Sequence, residues 1–480
     1  MGHRTTPQTR ALGVSARPSG NRAQRRRTSD GRREKPQATA GFAARKAAVD
    51  ILAVVLRGGA ALDDAFANAI ADGKLSGIEP RDRALARLII ATSLRRLPEI
   101  EAVLAGLLDR PLGPKIGMVG EILITGIAQI IFLGIAPHAV VNVATAMASA
   151  DRHGRHYKGL VNGVLRNLAR AEPSPLTGEE AVRKNLPAWL LQSWTDAYGE
   201  AAALASAAFL FDDPPLDITV KSDSEIWAEK LGGAVMGNGT VRIAKPGRIE
   251  ALAGFEAGEW WVQDAAASMP ARLIGAAPGR TIIDLCAAPG GKTAQLAASG
   301  AQVIAVDRDG ARAERLGGNL ARLGLETEIV VADATAWKPP APADAVLLDA
   351  PCSATGIFRR HPDILTRRQP GQVAKLAQIQ SRLIDASLDM LAPGGCLIYC
   401  TCSLQKAEGE DQIVNALSRH PALRIAAITP EEVPGFEAAL TPEGLLRILP
   451  HQLVAARNDE TTGPDIKGGS DGFFAARLLA

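Results

Sequence analysis

Cysteines are the residues of this 480-residue chain best suited to covalent chemistry, and all five lie in its C-terminal half: Cys286, Cys352, Cys396, Cys400 and Cys402. The count is odd and no apolar signal core follows the basic N-terminus, which favours reduced thiols in a cytoplasm. An ionised thiol is a strong nucleophile. Cys352 and Cys402 stand near the ends of predicted strands, so they are the candidate catalytic groups.

A small, glycine-rich turn follows the apolar run that ends at Leu285. A turn of this kind at the carboxyl end of a first strand lets a ligand approach the backbone closely. Asp307 lies 23 residues after Asp284 and can accept hydrogen bonds from ribose hydroxyls. The pattern fits NAD, flavin or S-adenosylmethionine. The turn lacks the G-x-G-x-x-G spacing that accommodates a pyrophosphate, which favours S-adenosylmethionine, a cofactor without phosphates.

A sheet must position this turn, and beyond Gly279 apolar runs alternate with helical patterns. The runs that predict strands are 282–285, 303–307, 329–331, 345–348 and 396–399. This alternation predicts an α/β fold with a doubly wound, mostly parallel, Rossmann-like sheet. Asp307, Asp333 and Asp349 lie where three of these strands end, at the edge where open α/β sheets bind ligands.

Four motifs, in order, resemble those of the Nol/Nop/Sun RNA (cytosine-5)-methyltransferase family. Residues 286–292 are similar to its first motif, Asp333 to its third, 349–356 to its fourth and 399–403 to its sixth. The resemblance extends over about residues 185–480. The residues that it implies bind S-adenosylmethionine are Cys286, Ala287, Ala288, Pro289, Gly290, Gly291, Lys292, Asp307, Asp333 and Asp349.

The family's reaction requires a thiolate that attacks C6 of cytosine, so that C5 gains carbanion character and accepts a methyl group. A base then removes the C5 proton and the thiol leaves. Two cysteines compete for the role of nucleophile: Cys352 takes a position that resembles the one used by DNA cytosine-5 methyltransferases, and Cys402 one that resembles the position used by the RNA family. The resemblance to the RNA family implies that Cys402 is the nucleophile and that Cys352 assists release, as the general base or through it. It also implies that Asp349 serves N3 of the cytosine, and Lys292 is a positioning or electrostatic group.

The remaining strand cysteines are expected to be packing residues. Cys396, Cys400 and Cys402 share one side of a strand because side chains alternate with a period of two. Cys402 lies at the open end, whereas Cys396 and Cys400 lie deeper. Their spacing is not C-x-x-C and no histidine is near, so we expect no metal site.

RNA contacts are expected directly after the fourth motif, where Arg359, Arg360 and His361 would meet phosphate or sugar of the target strand. Two segments depart from the family's pattern. Residues 217–221 lack the usual Arg-x-Asn, which weakens the expectation of an RNA contact there. The polar insert between Arg447 and Asp471 is longer than usual.

The N-terminal part is helical, since apolar residues recur at spacings of three and four. Residues 80–83, 92–95 and 158–166 resemble motifs of the NusB-like RNA-binding domain. The predicted organisation is a basic disordered arm, an all-α NusB-like domain, a linker with a small α+β subdomain, and the methyltransferase domain, at 1–41, 42–171, 172–250 and 251–480. Within the third part, 172–180 is the predicted linker.

Charge is concentrated at the N-terminus. Residues 1–46 hold twelve Lys and Arg against two acids, although the net charge of the chain is only +3. Such an arm attracts phosphate backbones. The combined layout resembles the bacterial Fmu/Sun (RsmB) small-subunit rRNA methyltransferases, which implies 16S rRNA or a partly assembled small subunit as partner. A monomer is expected. The apolar stretch 122–136 is too short to span a bilayer, so we predict a buried helix there and no membrane contact.

Two other functions are compatible with parts of this pattern. A DNA cytosine-5 methyltransferase would need a target-recognition insert after the catalytic motifs, and the sequence shows none. An RNA-binding module without catalysis is suggested by the NusB-like domain, but the intact cysteine pair and glycine turn argue against it.

Overall fold

The computed structural model describes residues 41–244, 246–452 and 468–480. All but the last residue of the predicted basic arm, and most of the polar insert after Arg447, lie outside these ranges. Among the described residues, no helix combines the length and apolar character needed to cross a membrane.

The N-terminal domain is a bundle of α-helices around one apolar core. Its helices are α1 (Phe42–Gly58), α2 (Leu62–Ala71), α3 (Pro80–Arg95), α4 (Leu97–Gly106), α5 (Val119–Ile131), α6 (Pro137–Ala150) and α7 (Lys158–Ala171). This confirms the all-α prediction. Helix α5 contains residues 122–131 of the stretch predicted to be a buried helix, and residues 132–136 lie beyond its end. Its Gln129 is tolerated there because its Oε1 accepts a hydrogen bond from Arg45 Nε at 2.6 Å.

Three further helices connect this bundle to the rest: α8 (Gly178–Asn185), α9 (Ala188–Tyr198) and α10 (Glu200–Ala208). The predicted linker 172–180 is therefore too long by three residues. Helix α8 begins at Gly178 because Glu179 and Glu180 lie in its first turn, where acids interact favourably with the helix dipole.

A small antiparallel sheet follows. Its strands β1 (Leu216–Val220), β2 (Ala234–Val235), β3 (Val241–Ile243) and β4 (Trp260–Val262) lie in the order β2-β3-β1-β4, and α11 (Ser224–Leu231) packs on it. Because β4 pairs with β1, the small sheet continues past residue 250, where the sequence placed the end of this subdomain.

The main sheet has eight strands: β5 (Thr281–Leu285), β6 (Gln302–Asp307), β7 (Glu328–Val331), β8 (Ala343–Asp349), β9 (Leu391–Thr401), β10 (Arg424–Ile425), β11 (Leu446–Ile448) and β12 (Phe473–Leu479). The strand order is β10-β12-β9-β8-β5-β6-β7, with β11 paired to β12. Strands β5 to β9 pair in parallel, and β12 is antiparallel to β9. The doubly wound, mostly parallel prediction is confirmed.

Helices cover this sheet: α12 (Met269–Leu273), α13 (Gly291–Ala298), α14 (Gly310–Leu323), α16 (Pro370–Leu388) and α17 (Glu410–Arg419). The short helix α15 (Ile364–Arg367) lies in the loop after β8 and contacts α3. The central strands β5 and β8 are near-continuous apolar runs because both of their faces are buried, whereas β7 at the end of the sheet is partly exposed. The order reverses between β5 and β8, and at such a switch point the loops after the strands diverge and leave a crevice for ligands. The candidate acids and thiols all lie at or just after the carboxyl ends of these strands, beside this crevice: Asp307, Asp333, Asp349, Cys352 and Cys402.

Candidate active site

The turn after β5 is shaped by backbone conformations that most residues avoid. Cys286 adopts a φ of 60° and Gly290 a φ of 105°. A Cβ at position 290 would stand 2.4 Å from Leu316 Cδ1, so only glycine fits there. The peptide between Ala288 and Pro289 is cis. The turn leads directly into α13.

Carboxylates from three strands face one side of this turn. Asp307 is buried, and its Oδ2 accepts a hydrogen bond from the Ala288 N–H at 3.2 Å. Asp333 is exposed, and hydrogen bonds from Thr335 lower the pKa of its carboxyl. These acids border a cavity of about 310 Å³. Its wall also includes Cys286, Ala288, Asp349, Cys352 and Cys402.

Lys292 and Asp349 form an ion pair at the centre of the site, with Nζ 2.8 Å from Oδ2. Burial lowers the pKa of Lys292, but the Asp349 carboxylate outweighs this effect, so the pKa lies above its usual value and the amine is charged. The ammonium also lies 4.8 Å from the ring centroid of Phe473. The Cys400 thiol donates to Asp349 Oδ1 at 3.5 Å.

The two candidate cysteines are in contact, with their Sγ atoms 3.5 Å apart. Cys352 follows β8 and Cys402 follows β9, so two adjacent parallel strands deliver them to the same edge. The hydrogen bond between the thiols, followed by burial, raises the pKa of Cys352 well above its usual value. The Cys352 thiol therefore keeps its proton.

The other cysteines take the positions expected of packing residues. Cys396, Cys400 and Cys402 contribute to one apolar cluster, whereas Leu397 and Tyr399 lie in the cluster on the opposite face of β9. Burial raises the pKa of Cys286 to about 12, so this thiol is neutral. Among the described residues, no group of three or more His, Cys, Asp or Glu side chains is arranged to hold a metal ion.

Glu408 is a buried acid of this site that the sequence did not single out. Its carboxylate accepts hydrogen bonds from the Ser353 N–H at 2.9 Å and from the Ser403 hydroxyl at 2.5 Å. These serines directly follow the two candidate cysteines. The only sequence signal was the position of Glu408 six residues after Cys402, which by itself does not reveal that its side chain turns inward.

The loop after β8 corrects one of the predicted RNA contacts. Arg359 is 1% exposed, and its guanidinium bonds Asp264 Oδ2 at 2.7 Å and Asp471 Oδ1 at 2.8 Å. The prediction that Arg359 meets the target strand is wrong, because two buried carboxylates hold its side chain inside the protein. Arg360 bonds the same two acids but stays partly exposed.

Asp264 lies between β4 and α12, and Asp471 lies just before β12. Both acids bind Arg359, and the Asp471 N–H donates to Asp264. They therefore hold together the loop that contains Cys352 and the chain that enters β12. The surrounding arginines lower the pKa of Asp264 despite its burial, so it stays ionised.

The same loop also contacts the helical domain. His361 Nδ1 lies 3.3 Å from Asp63 Oδ2. The N–H of Leu62, at the start of α2, donates to Asp363 Oδ2 at 3.3 Å, and Arg95 donates to the carbonyl of Arg359 at 3.1 Å. The helical domain thus holds the loop that follows the fourth motif. His361 is one-third exposed, and its contact with RNA stays a prediction.

A second cavity, of about 510 Å³, lies on the other face of the Ala287–Lys292 turn. It is bordered by Phe255, Trp261, Asn319, Lys292, Asp349 and His361, among others. Asp349 therefore reaches both cavities. In the 217–221 segment, Asp217 pairs with the buried Arg242. Lys221 donates to the carbonyl of Leu323, a residue that borders this cavity.

Comparison with known proteins covers nearly all of these elements. Residues 271–479 match the family model described as 16S rRNA methyltransferase RsmB/F, and residues 43–170 match the NusB family model. The chain is 35% identical over 386 residues to ribosomal RNA small subunit methyltransferase B of Sodalis glossinidius, covering 76% of this chain and 88% of that protein. The protein of the same name from Pseudomonas syringae pv. tomato is 34% identical over 459 residues, covering 91% and 96%.

Solved structures share the fold. The crystal structure of PH0851 matches with a TM-score of 0.72 at 22% identity, covering 92% of this chain and 99% of that one. The structure of NSun6 from Pyrococcus horikoshii with SFG matches with a TM-score of 0.50 at 18% identity, covering 61% and 98%.

Proposed function

The chain belongs to the RsmB/F family of 16S rRNA methyltransferases, and we propose that it transfers a methyl group from S-adenosylmethionine to C5 of a cytosine in 16S rRNA. The observation that carries this proposal is the contact of Cys352 with Cys402, 3.5 Å apart beside a cavity bordered by three carboxylates. A methyltransferase that acts on an oxygen or nitrogen has no need of two thiols at this place.

The residues around the smaller cavity fit S-adenosylmethionine. Asp307 and Asp333 offer acceptors suited to ribose hydroxyls and an adenine amino group, and the turn at 286–292 offers backbone rather than a phosphate cradle. The volume of about 310 Å³ lies at the lower end of the range for small-molecule sites. When bound, the cofactor supplies an electrophilic methyl group on a sulfonium centre.

Attack on the base is assigned to Cys402. Its thiolate forms a bond to C6, and the electron pair of the C5–C6 double bond is drawn towards N3, which takes up a proton. The Lys292–Asp349 pair lies beside the thiols and supplies this proton and stabilises the charge that develops on the ring. C5 then has carbanion character and accepts the methyl group.

Release is assigned to Cys352. The proton on C5 must leave to a base while the C6–S bond breaks, which restores the double bond and returns Cys402 as a thiolate. Cys352 is the group nearest to Cys402 that can take part in proton transfer. The largest cause of its raised pKa, the hydrogen bond with Cys402, is lost once Cys402 is bonded to the ring, so Cys352 can give its own proton to water and then, as a thiolate, accept the proton that leaves C5.

Product analysis tests the proposal. Purified protein is incubated with radiolabelled S-adenosylmethionine and 16S rRNA that lacks the modification, and the nucleosides are then separated. We expect label in 5-methylcytidine and none in DNA of the same sequence. Label in another nucleoside, or in DNA, would overturn the assignment, and RNA binding without any transfer would support a pure binding module.

A further inference from the structure

We propose that Glu408 is a positioning residue for both cysteines: it binds the residue after Cys352 and the residue after Cys402, and so holds the two thiols in contact. This inference rests on the cysteine mechanism proposed above and assigns it a part that neither thiol motif contains. It predicts that one buried carboxylate governs attack and release together.

The environment of Glu408 is unusual for an acid. The side chain is fully buried, and four uncharged donors bond to its carboxylate: the Ser353 N–H and hydroxyl, the Ser403 hydroxyl and the Gln380 amide. Burying a carboxylate is costly unless hydrogen bonds replace its hydration. A residue that only filled the core would not need a carboxylate here. A residue that holds the Cys352 loop and the Cys402 loop together needs an acceptor that can bind several hydrogen-bond donors at once.

A single oxygen of Glu408 contacts both loops. Oε2 accepts from Ser353 Oγ at 2.5 Å and from Ser403 Oγ at 2.5 Å, and the two hydroxyl oxygens lie 3.1 Å apart. Each serine is one residue, about 3.8 Å along the chain, from a thiol-bearing residue. One carboxylate oxygen therefore fixes both loops at their reactive ends.

Neighbouring contacts hold Glu408 itself in place. The Tyr399 hydroxyl donates to its carbonyl at 2.8 Å and the Thr401 hydroxyl at 3.2 Å, which ties it to the end of β9. Gln380 on α16 bonds Glu408 Oε1 at 3.2 Å and the carbonyl of Pro351 at 2.9 Å. The residues before and after Cys352 are thus both fixed through the same centre.

The charge of Glu408 acts in the same sense as its hydrogen bonds. The pKa of Cys352 is raised first by the hydrogen bond with Cys402 and by burial, and the negative charges of Cys402 and Glu408 add to this. The proton therefore stays on Cys352 while Cys402 attacks. Glu408 thus acts on the Cys352 loop mainly through its hydrogen bonds to the serines, and its charge adds a smaller effect in the same direction.

Two substitutions of Glu408 and one control separate the effect of its hydrogen bonds from the effect of its charge. Glu408→Ala removes the hydrogen bonds to both loops, and since misplacement of about 1 Å can cost about 100-fold, we expect kcat to fall by about that factor. Glu408→Gln keeps an acceptor for the Ser353 N–H, and its amide can donate to the serine hydroxyls, so we expect it to recover at least about a tenth of the wild-type kcat. The matched control is Asp411→Asn, which removes an exposed carboxylate three residues further on and should leave kcat unchanged.

The serines then separate attack from release. In a Cys352→Ala background, Ser403→Ala should slow the formation of the covalent RNA adduct on a denaturing gel, because only the Cys402 loop is loosened. With both cysteines present, Ser353→Ala should form the adduct at the normal rate but release it slowly. Thermal unfolding of each variant measures the folded fraction, to which all rates are normalised.

The outcomes are distinct. If Glu408→Ala retains normalised kcat, or if both serine variants slow the same step equally, the positioning role is overturned and Glu408 is only a core residue. If wild-type protein makes no 5-methylcytidine and Cys352→Ala traps no adduct, the cysteine mechanism itself fails and the role of Glu408 falls with it. Slowed attack in one serine variant and slowed release in the other support the proposal.

Discussion

Lys292 Nζ lies 2.8 Å from Asp349 Oδ2, and this ion pair stands where two cavities meet. Asp349 borders both cavities, whereas Lys292 borders only the larger one. A transfer reaction needs a place where cofactor and target approach each other, and this pair marks it. Asp349 can therefore reach a molecule in either cavity, whereas Lys292 can reach only a molecule in the larger one.

Lys292→Met should reduce the rate of methyl transfer more than it reduces cofactor affinity. The substitution keeps the buried stem but removes the proton source and the positive charge, an effect of about 10²–10⁴-fold for general acid catalysis. Single-turnover methylation measures the rate and calorimetry measures S-adenosylmethionine binding. The exposed Lys406 offers the control Lys406→Met. Equal losses of rate and affinity would place Lys292 in the cofactor site instead.

The two cysteines should give opposite phenotypes. Cys402→Ala should abolish both methylation and any covalent complex, because no bond to C6 can form. Cys352→Ala should trap an RNA–protein adduct, since attack and methylation proceed but release stalls. The adduct appears as a slowly migrating band on a denaturing gel, only when S-adenosylmethionine and target RNA are both present. If Cys402→Ala traps the adduct instead, the roles are reversed.

Asp307→Ala should weaken S-adenosylmethionine binding by roughly 1.5–3 kcal/mol, the scale of a hydrogen bond to a charged group. Titration calorimetry measures this directly. Part of the loss has another origin, because Asp307 also accepts from the Ala288 N–H and thereby supports the turn. Asp307→Asn keeps an acceptor for that N–H and isolates the contribution of the charge. Unchanged affinity in both variants would remove Asp307 from the site.

Asp284 should make stability depend on pH. Burial raises the pKa of its carboxyl to about 7, although the Thr293 hydroxyl donates to it at 2.6 Å. Because the folded protein binds this proton more tightly than the unfolded chain, its contribution to stability is present below about pH 4 and is lost as pH rises towards 7. Relative to Asp284→Asn, the wild type should lose a few kcal/mol of unfolding free energy across this window.

Urea unfolding of both proteins between pH 4 and 8 gives the difference. Other carboxylates titrate over part of the same range, but they are common to both proteins and cancel. A difference that stays constant with pH would show that Asp284 has an ordinary pKa.

The sequence predicted the main sheet well because its strands follow local patterns. Strands β5 to β9 are apolar runs bounded by turn residues, and the acids and thiols follow them directly. Since parallel strands end on one edge, their order along the chain was enough to bring Asp349, Cys352 and Cys402 together.

What the sequence could not supply were contacts between distant segments. Arg359 was expected to face RNA because arginines after a catalytic motif usually meet phosphate, but its partners Asp264 and Asp471 are about 95 and 112 residues away. No local sequence pattern predicts an ion pair between residues so far apart in the chain. Glu408 was missed for a related reason, since an acid before a helix is ordinarily exposed, and only the packed structure turns it inward.

The contacts of Leu62 and Arg95 with the loop after β8 have a consequence for how the enzyme could choose its target. They fix the helical domain to the same loop that leads from Cys352, so every point on that domain stands at a set distance from the thiols. A segment of rRNA that touched this domain would therefore be held at a fixed distance from the nucleotide that reaches the two cysteines.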